Sequence, residues 1–199
     1  MPGAHLVTIE GLPGSCRDVV ARQVQARSRA MTITGTSTPG HVSLESSIAF
    51  VLHQLRALRH VGTCPVVVSA ASWLDKAPPA RDAALFADLC VALCRGLGVP
   101  RDITHHAFYV RTDPHDAFEH VLNAGAEFRG INLDDVLGMR DTLDAAAANG
   151  SGALGGMFDM HVRTLDLPKF ASDSPEDVDA IAATVTEHVA ALAVNAGVP

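Results

Sequence analysis

Short apolar runs alternate along this chain with longer stretches in which apolar and polar residues follow a helical period. The short runs are rich in β-branched residues and end in glycine, proline or polar residues, as strands do. Five of them are predicted as strands: AHLVTIEG, AMTITGTSTPG, CPVVVSAAS, HHAFYVRTDP and MHVRTLDL. The third is apolar throughout, which is typical of a parallel strand covered on both faces.

The longer stretches are predicted as helices. They are CRDVVARQVQARSRA, SLESSIAFVLHQLRALRH, ARDAALFADLCVALCRGLG, HDAFEHVLNAG, NLDDVLGMRDTLDAAAA and SDSPEDVDAIAATVTEHVAALAV. The last has the clearest start, because Ser174 suits an N-cap, Pro175 suits the first helical position and acidic residues fill the first turn. Strands that alternate with helices, without a hairpin signal, predict an α/β fold: a five-stranded parallel sheet with helices on both faces.

Length and charge narrow the class of protein. The chain has 199 residues, of which 48% are apolar, enough for one well-buried core, so we expect a single domain over residues 1–199. A net charge of -7 argues against a nucleic-acid partner or an anionic membrane surface. We find no apolar run of transmembrane length and no secretory signal. We therefore expect that the protein binds neither nucleic acid nor a membrane.

The cysteines predict a reducing environment. The chain has four, none in a C-x-x-C pair, which favours an intracellular, cytoplasmic protein. Cys90 and Cys94 lie one helical turn apart, and His105 and His106 follow in the next predicted strand. We interpret the two cysteines as core residues and not as metal ligands, because free cysteine is ordinarily a small apolar residue. The two histidines are interpreted as the polar entry to their strand.

The stretch IEGLPGSCRD, residues 9–18, has the position of a phosphate-binding loop between the first strand and the first helix. Such a loop has the form G-x-x-x-x-G-K-[ST], in which backbone N–H groups and lysine hold phosphates and the hydroxyl binds magnesium. The candidate phosphate-binding residues of this loop, residues 11–18, are Gly11, Gly14, Ser15 and Arg17.

Three positions of the loop depart from that pattern. Cys16 stands where glycine is required, and a left-handed conformation there costs about 1–2 kcal/mol. Arg17 replaces lysine and keeps the charge in a longer, planar group. Asp18 replaces serine or threonine, and a carboxylate about 4 Å from a phosphate oxygen costs about 4 kcal/mol. Magnesium between the two would reverse that sign, so Asp18 is also the candidate metal ligand. The alternative is a plain strand-to-helix turn with Asp18 as a first-turn acid.

Three segments resemble the deoxynucleoside kinase family. LVTIEGLPGSCRD is similar to its first strand and phosphate loop, FYVRTDPHDAFEHV to its strand ending in a YLRTSPE-like sequence, and GINLDDVLGMRDTL to the helix after its lid. The resemblance covers about the whole chain. It implies a P-loop kinase-like fold, a nucleoside pocket at the carboxyl ends of the strands, ATP with magnesium if the protein is active, and commonly a homodimer.

The family's catalytic groups are largely missing from this sequence. TITGTSTPG, where the family has its acidic base, contains no carboxylate, and Ala70 and Ala71 stand where the family has Glu-Arg. The family's lid carries several arginines, whereas the corresponding lid here, about residues 122–130, has only Arg129. The resemblance therefore implies a kinase-like fold with degenerate catalytic motifs.

A few residues remain as candidates outside the loop. Arg111 and Arg129 are candidate phosphate-binding residues, and an ion pair is the alternative for Arg111. Glu10, His53 and Trp73 are candidate pocket residues. The alternatives are a solvated strand-end acid for Glu10, packing for His53 and closure of the core for Trp73. No catalytic residue is identified.

The sequence leaves several functions open. The favoured one is a deoxynucleoside-kinase-like P-loop protein of impaired or lost activity, acting as a binding, interaction or regulatory module with a nucleotide, a nucleoside or a protein partner. The alternatives are an active deoxynucleoside or nucleotide kinase that uses Arg17 and Asp18, and a nucleotide sensor without chemistry. The family is widespread in large DNA viruses, so a viral source is one option.

Overall fold

The computed structural model describes residues 4–28, 30–33, 52, 59, 64, 66–69, 83–99, 102–123, 131–150, 159–167 and 175–196. The strands are β1 (Ala4–Gly11), β2 (Met31–Ile33), β3 (Val66–Ser69), β4 (Ile103–Arg111) and β5 (Asp159–Asp166). The helices are α1 (Arg17–Arg27), α2 (Ala83–Leu97), α3 (Pro114–Asn123), α4 (Leu133–Asn149) and α5 (Pro175–Asn195).

The strands form one sheet in the order β2-β3-β1-β4-β5, and every neighbouring pair is parallel. β1 lies in the middle, with Gly11 level with Val110 of β4. The carboxyl ends of all strands therefore meet at one edge of the sheet, which is the edge where ligands bind in open α/β sheets.

Side chains of the central strands alternate between two cores. On one face Val7 and Ile9 of β1 pack with Phe108 of β4 against α1 and α5. On the other face Ala107 and Tyr109 of β4 pack against α3 and α4. The period of two along β1 and β4 places successive residues on opposite faces, and the parallel α/β sheet with helices on both faces is confirmed.

Three helices begin at local capping or start signals. Asp113 Oδ1 accepts from the backbone N–H of His115 at 2.8 Å and so caps α3. Asn132 and Asp135 form a reciprocal capping box at the start of α4. Pro175 is the first residue of α5, as predicted.

Cys90 is buried, as predicted for a core residue, and Cys94 is half-buried; both are free thiols. Burial, with a contribution from Cys94, raises the pKa of the Cys90 thiol to about 12. Among the residues that the structure describes, no group of three or more histidine, cysteine and acidic residues can hold a metal ion. In the same residues no helix has the length and apolar character needed to cross a membrane.

Several predictions concern parts of the chain outside the described residues. These are His53 with most of its predicted helix, Ala70, Ala71, Trp73, Ser174, and Arg129 with lid residues 124–130.

Candidate functional site

The stretch between β1 and α1 is a tight turn at the carboxyl edge of the sheet. The backbone N–H of Ser15 donates to the Leu12 carbonyl at 3.0 Å, which closes the turn. The N–H groups of Val19 and Val20 donate to the Cys16 carbonyl at 2.9 and 3.0 Å, so helical hydrogen bonding begins there. The predicted order of strand, tight loop and helix is therefore present at residues 11–18.

Gly11 and Gly14 are required by close packing of the loop against its surroundings. A Cβ on Gly11 would lie 2.3 Å from Ser15 Oγ and 3.0 Å from the Val110 carbonyl oxygen. Gly14 has φ +81°, and a Cβ there would lie 2.5 Å from the Ala117 carbonyl oxygen of α3. Both glycines thus fit the plain-turn interpretation as well as a phosphate loop, and they do not distinguish the two.

Cys16 has the strained backbone that its position in the loop predicts. Its φ is 63° and its ψ is 7°, in the left-handed region. Among the described residues it is the one non-glycine residue with positive φ. Its side chain is buried in the core formed by α1, α5 and the sheet, and that burial offsets part of the conformational cost.

Arg17 points into the loop and not into solvent. Its side chain is 3% exposed, and Nη1 donates to the Gly11 carbonyl at 2.7 Å. Arg17 Nε and Ser15 Oγ are buried and have no hydrogen-bond partner among the described residues. The guanidinium thus sits at the amino end of α1, where the helix dipole is also positive, so the loop concentrates positive potential.

Asp18 is exposed on the first turn of α1, and its backbone carbonyl accepts from Arg22 Nε at 3.3 Å. A carboxylate here is favourable for the helix dipole and is open to a metal ion. Magnesium at the loop would obtain one protein carboxylate from Asp18. The second acid that the resemblance implies is absent from the sequence, because that position is Ala70. The donor set therefore fits magnesium only in part.

Glu10 is fully buried at the end of β1, level with Tyr109 of β4. The alternative interpretation of Glu10 as a solvated acid is therefore wrong. A carboxylate completely removed from water needs compensating contacts. Its proposed role toward the loop or a pocket remains a prediction.

Arg111 is the last residue of β4, and its side chain lines a charged cavity. Its Nε donates to Asp166 Oδ1 of β5 at 2.5 Å, and this contact raises the pKa of the guanidinium. The cavity, of about 450 Å³, has the following described lining residues: Arg111, Thr112, Asp113, Pro114, Leu137, Arg140, Asp141, Asp144, Asp166 and Leu167. The structure thus brings Gly11, Gly14, Ser15, Arg17 and Asp18 together and places Arg111 in an ion pair on the β5 side.

A set of histidines that interact in the sheet is not predicted by the sequence. His105 is buried in β4, and its Nε2 lies 2.8 Å from Thr8 Oγ1. Burial, reinforced by neighbouring His106, lowers the pKa of His105 to about 3. Both histidines lie inside the strand and not at its polar entry, so that interpretation is wrong. The partners of His106 are distant in sequence, so no local pattern signals their contact.

No protein-family model and no curated protein sequence matches this chain. Its fold does match solved structures. Deoxyadenosine kinase from M. mycoides with bound dCTP superposes with a TM-score of 0.59 at 10% identity, covering 92% of this chain and 99% of that one. The structure of that enzyme with dCMP and dCDP bound superposes with a TM-score of 0.61 at 10% identity. The match covers 94% of this chain and 99% of that one. A gluconokinase from Sinorhizobium meliloti 1021 superposes with a TM-score of 0.53 at 11% identity, covering 94% of this chain and 95% of that one.

This chain has a P-loop kinase-like fold. The neighbours include a nucleoside kinase and a sugar-acid kinase, so the fold alone does not define an acceptor. Residues 11–18 form the turn after the first strand of this fold.

Proposed function

We propose that this chain is a deoxynucleoside-kinase-like P-loop protein that binds the phosphates of a nucleotide at residues 11–18 and transfers them poorly or not at all. In this proposal it acts as a nucleotide-dependent binding or regulatory module. A protein partner, a homodimer and a cytoplasmic location belong to the same proposal. The observation that carries it is the buried Arg17 guanidinium turned onto the Gly11 carbonyl.

Binding is supported by donors that are buried and unused. Arg17 Nε and Ser15 Oγ lack hydrogen-bond partners among the described residues. A buried donor without a partner costs about 1–3 kcal/mol, and more when the group is charged. A phosphate oxygen at the amino end of α1 would accept from both donors and would neutralise the guanidinium, so ligand binding would relieve that cost.

Loss of transfer is supported by the missing charges. Phosphoryl transfer depends on metal ions, cationic groups and a base that act together on the developing charge. The sequence lacks an acid in TITGTSTPG, replaces Glu-Arg by Ala70 and Ala71, and adds Asp18 next to the loop. Since Asp18 is exposed beside the loop, it opposes a phosphate unless a metal ion lies between them.

Arg17→Met is expected to weaken ATP binding by tenfold to a hundredfold, because a charge-assisted hydrogen bond contributes about 1.5–3 kcal/mol. Calorimetric titration with ATP, with and without magnesium, measures this change. The matched control is Arg95→Met, which removes an exposed arginine from the last turn of α2. Arg95→Met should leave the affinity within about twofold of the wild type. Equal affinity of both variants would exclude the loop as the phosphate site.

The second candidate is an active kinase in which Asp18 binds magnesium. It is favoured by one observation, the exposure of Asp18 on the first turn of α1. Asp18→Asn separates the two candidates by the sign of its effect. If Asp18 repels phosphate, the substitution strengthens ATP binding. If Asp18 holds the metal, it weakens magnesium-dependent binding and abolishes phosphate transfer to a deoxynucleoside.

A further inference from the structure

Three histidine rings form a hydrogen-bonded chain at the end of the sheet opposite the phosphate loop. His106 of β4 is the central ring: its Nε2 lies 3.3 Å from His5 Nδ1 of β1, and its Nδ1 lies 3.2 Å from His188 Nε2 of α5. His161 of β5 stacks on the central ring with the centroids 5.6 Å apart. We call His5, His106 and His188 the histidine chain.

The histidine chain connects α5 to the sheet. His188 contacts the sheet through His106 and also through Phe108, whose ring lies edge-on at 5.1 Å. Val185 and Val189, on the same helix, belong to the buried core beneath. The rings therefore lie where α5 meets the amino-terminal part of β1 and β4, and a change in their charge acts on that contact.

The number of protons that the histidine chain can hold follows from its two hydrogen bonds. Three neutral imidazoles carry three ring protons, of which two lie in the two N–H···N bonds and the third on an outer nitrogen. One added proton fits on the other outer nitrogen, and both bonds remain. A second added proton must enter a bond whose two nitrogens would then both carry hydrogen. That bond breaks, and the histidine chain then carries two positive charges that repel each other.

We propose that the histidine chain is an acid-sensitive latch on α5, which accepts one added proton with its hydrogen bonds intact and releases α5 from the sheet when it takes up a second. The proposal is independent of the phosphate loop. It concerns a conformational change of the helix and no chemical reaction.

The surroundings of the histidine chain add to its acid sensitivity. Besides its own three rings, the ionisable groups that face the histidine chain are Asp159, His161 and Arg163, all from β5. Burial lowers the pKa of His106 to about 4, and His188, His5 and His161 add to this effect while Asp159 opposes it.

The pKa values of the two outer rings, His5 and His188, are also lowered. Burial lowers the pKa of His5. Burial and nearby Arg163 lower that of His188, to which His5 and His161 contribute less. A ring released from this contact returns toward its ordinary pKa of 6.5.

The sign of the pH effect follows from these directions. Because the folded pKa values lie below the ordinary one, the released state binds more protons than the latched state. The stability of the latch is complete above the ordinary value of 6.5 and is lost as the pH falls toward 4, the folded value of His106. One ring with these two values makes release about twentyfold more favourable at pH 5 than at pH 7.

Amide hydrogen exchange of the full chain at pH 7 and pH 5, corrected for the intrinsic exchange rate, measures this release. We expect the protection of α5 to fall about twentyfold or more at pH 5, while that of α4 falls less than threefold. An equal loss in both helices would overturn the proposal, because it would indicate global acid unfolding, to which buried His105 also contributes. Unchanged protection of α5 down to pH 4.5 would overturn it as well.

His188→Gln keeps a hydrogen-bonding side chain and removes the charge. It should reduce the pH effect on α5 to less than about threefold, whereas His115→Gln, at an exposed position of α3, should leave it unchanged. A histidine NMR titration of the wild-type chain is independent of any variant. We expect His5, His106 and His188 to titrate together below 6.5, with α5 retaining its protection through the first proton. Independent titration of the three rings near 6.5 would contradict the latch.

Discussion

Replacing Gly14 with alanine is expected to lower the free energy of unfolding by about 3 kcal/mol or more. The φ of +81° costs an L residue about 1–2 kcal/mol. The new Cβ would also lie 2.5 Å from the Ala117 carbonyl oxygen and 3.3 Å from Val121 Cγ2, both on α3. Backbone atoms of a packed helix cannot yield without moving the helix, and overpacking of this kind costs a further 1–3 kcal/mol or so. Urea denaturation followed by circular dichroism measures the loss.

The chain offers a matched control for this substitution. Gly138 lies in the interior of α4, and a Cβ there would meet nothing within 4 Å. Gly138→Ala should therefore stabilise the protein by about 0.5–1 kcal/mol, because alanine is the better helix former. If Gly14→Ala changed stability no more than Gly138→Ala, the close packing of α3 on the turn at residues 11–18 would be wrong.

Repair of the loop by Cys16→Gly, Arg17→Lys and Asp18→Ser together is expected to raise the affinity for ATP by about a thousandfold. Most of this gain comes from Asp18, since a carboxylate about 4 Å from a phosphate oxygen costs about 4 kcal/mol at an effective dielectric constant near 20. Lysine restores a compact charge, and glycine removes the left-handed strain at position 16. Calorimetric titration of the triple variant and the wild type gives the ratio of the two dissociation constants.

The control for the repair is Asp134→Ser, which removes another exposed first-turn acid, at the start of α4. It leaves the loop unchanged and should alter ATP affinity by less than about twofold, because a single exposed charge is largely screened by solvent and salt. A repaired loop with no gain over the wild type would mean that the phosphates do not bind beside Asp18.

Much of the fold is predictable because its signals are local. The apolar run of β3 is predictable because a central parallel strand is buried on both faces. The pattern along β4 is predictable because the pleat of a strand directs successive side chains to opposite faces. The start of α5 at Pro175 and the cap at Asp113 depend only on backbone groups a few residues away. The position of the turn at residues 11–18 follows from the same local order of strand, glycine and helix.

The details of the site are less predictable because they depend on tertiary contacts. The rule that arginine is exposed does not hold for Arg17, which packs into its own loop. Glu10 is buried because the helices on that face of the sheet cover the end of β1. The rings of His5, His106 and His188 meet only because the sheet order places β1 beside β4 and because α5 packs across both strands.

Phosphorus NMR of one sample, containing the wild-type chain, ATP, magnesium and a mixture of the four deoxynucleosides, tests both halves of the proposed function. We expect the β- and γ-phosphate resonances of ATP to broaden or shift in the presence of the wild-type chain and to stay unchanged with Arg17→Met. We expect no ADP or nucleoside monophosphate resonance above a sample without protein. Unperturbed ATP resonances would exclude phosphate binding at the loop, and a growing monophosphate resonance would establish an active kinase.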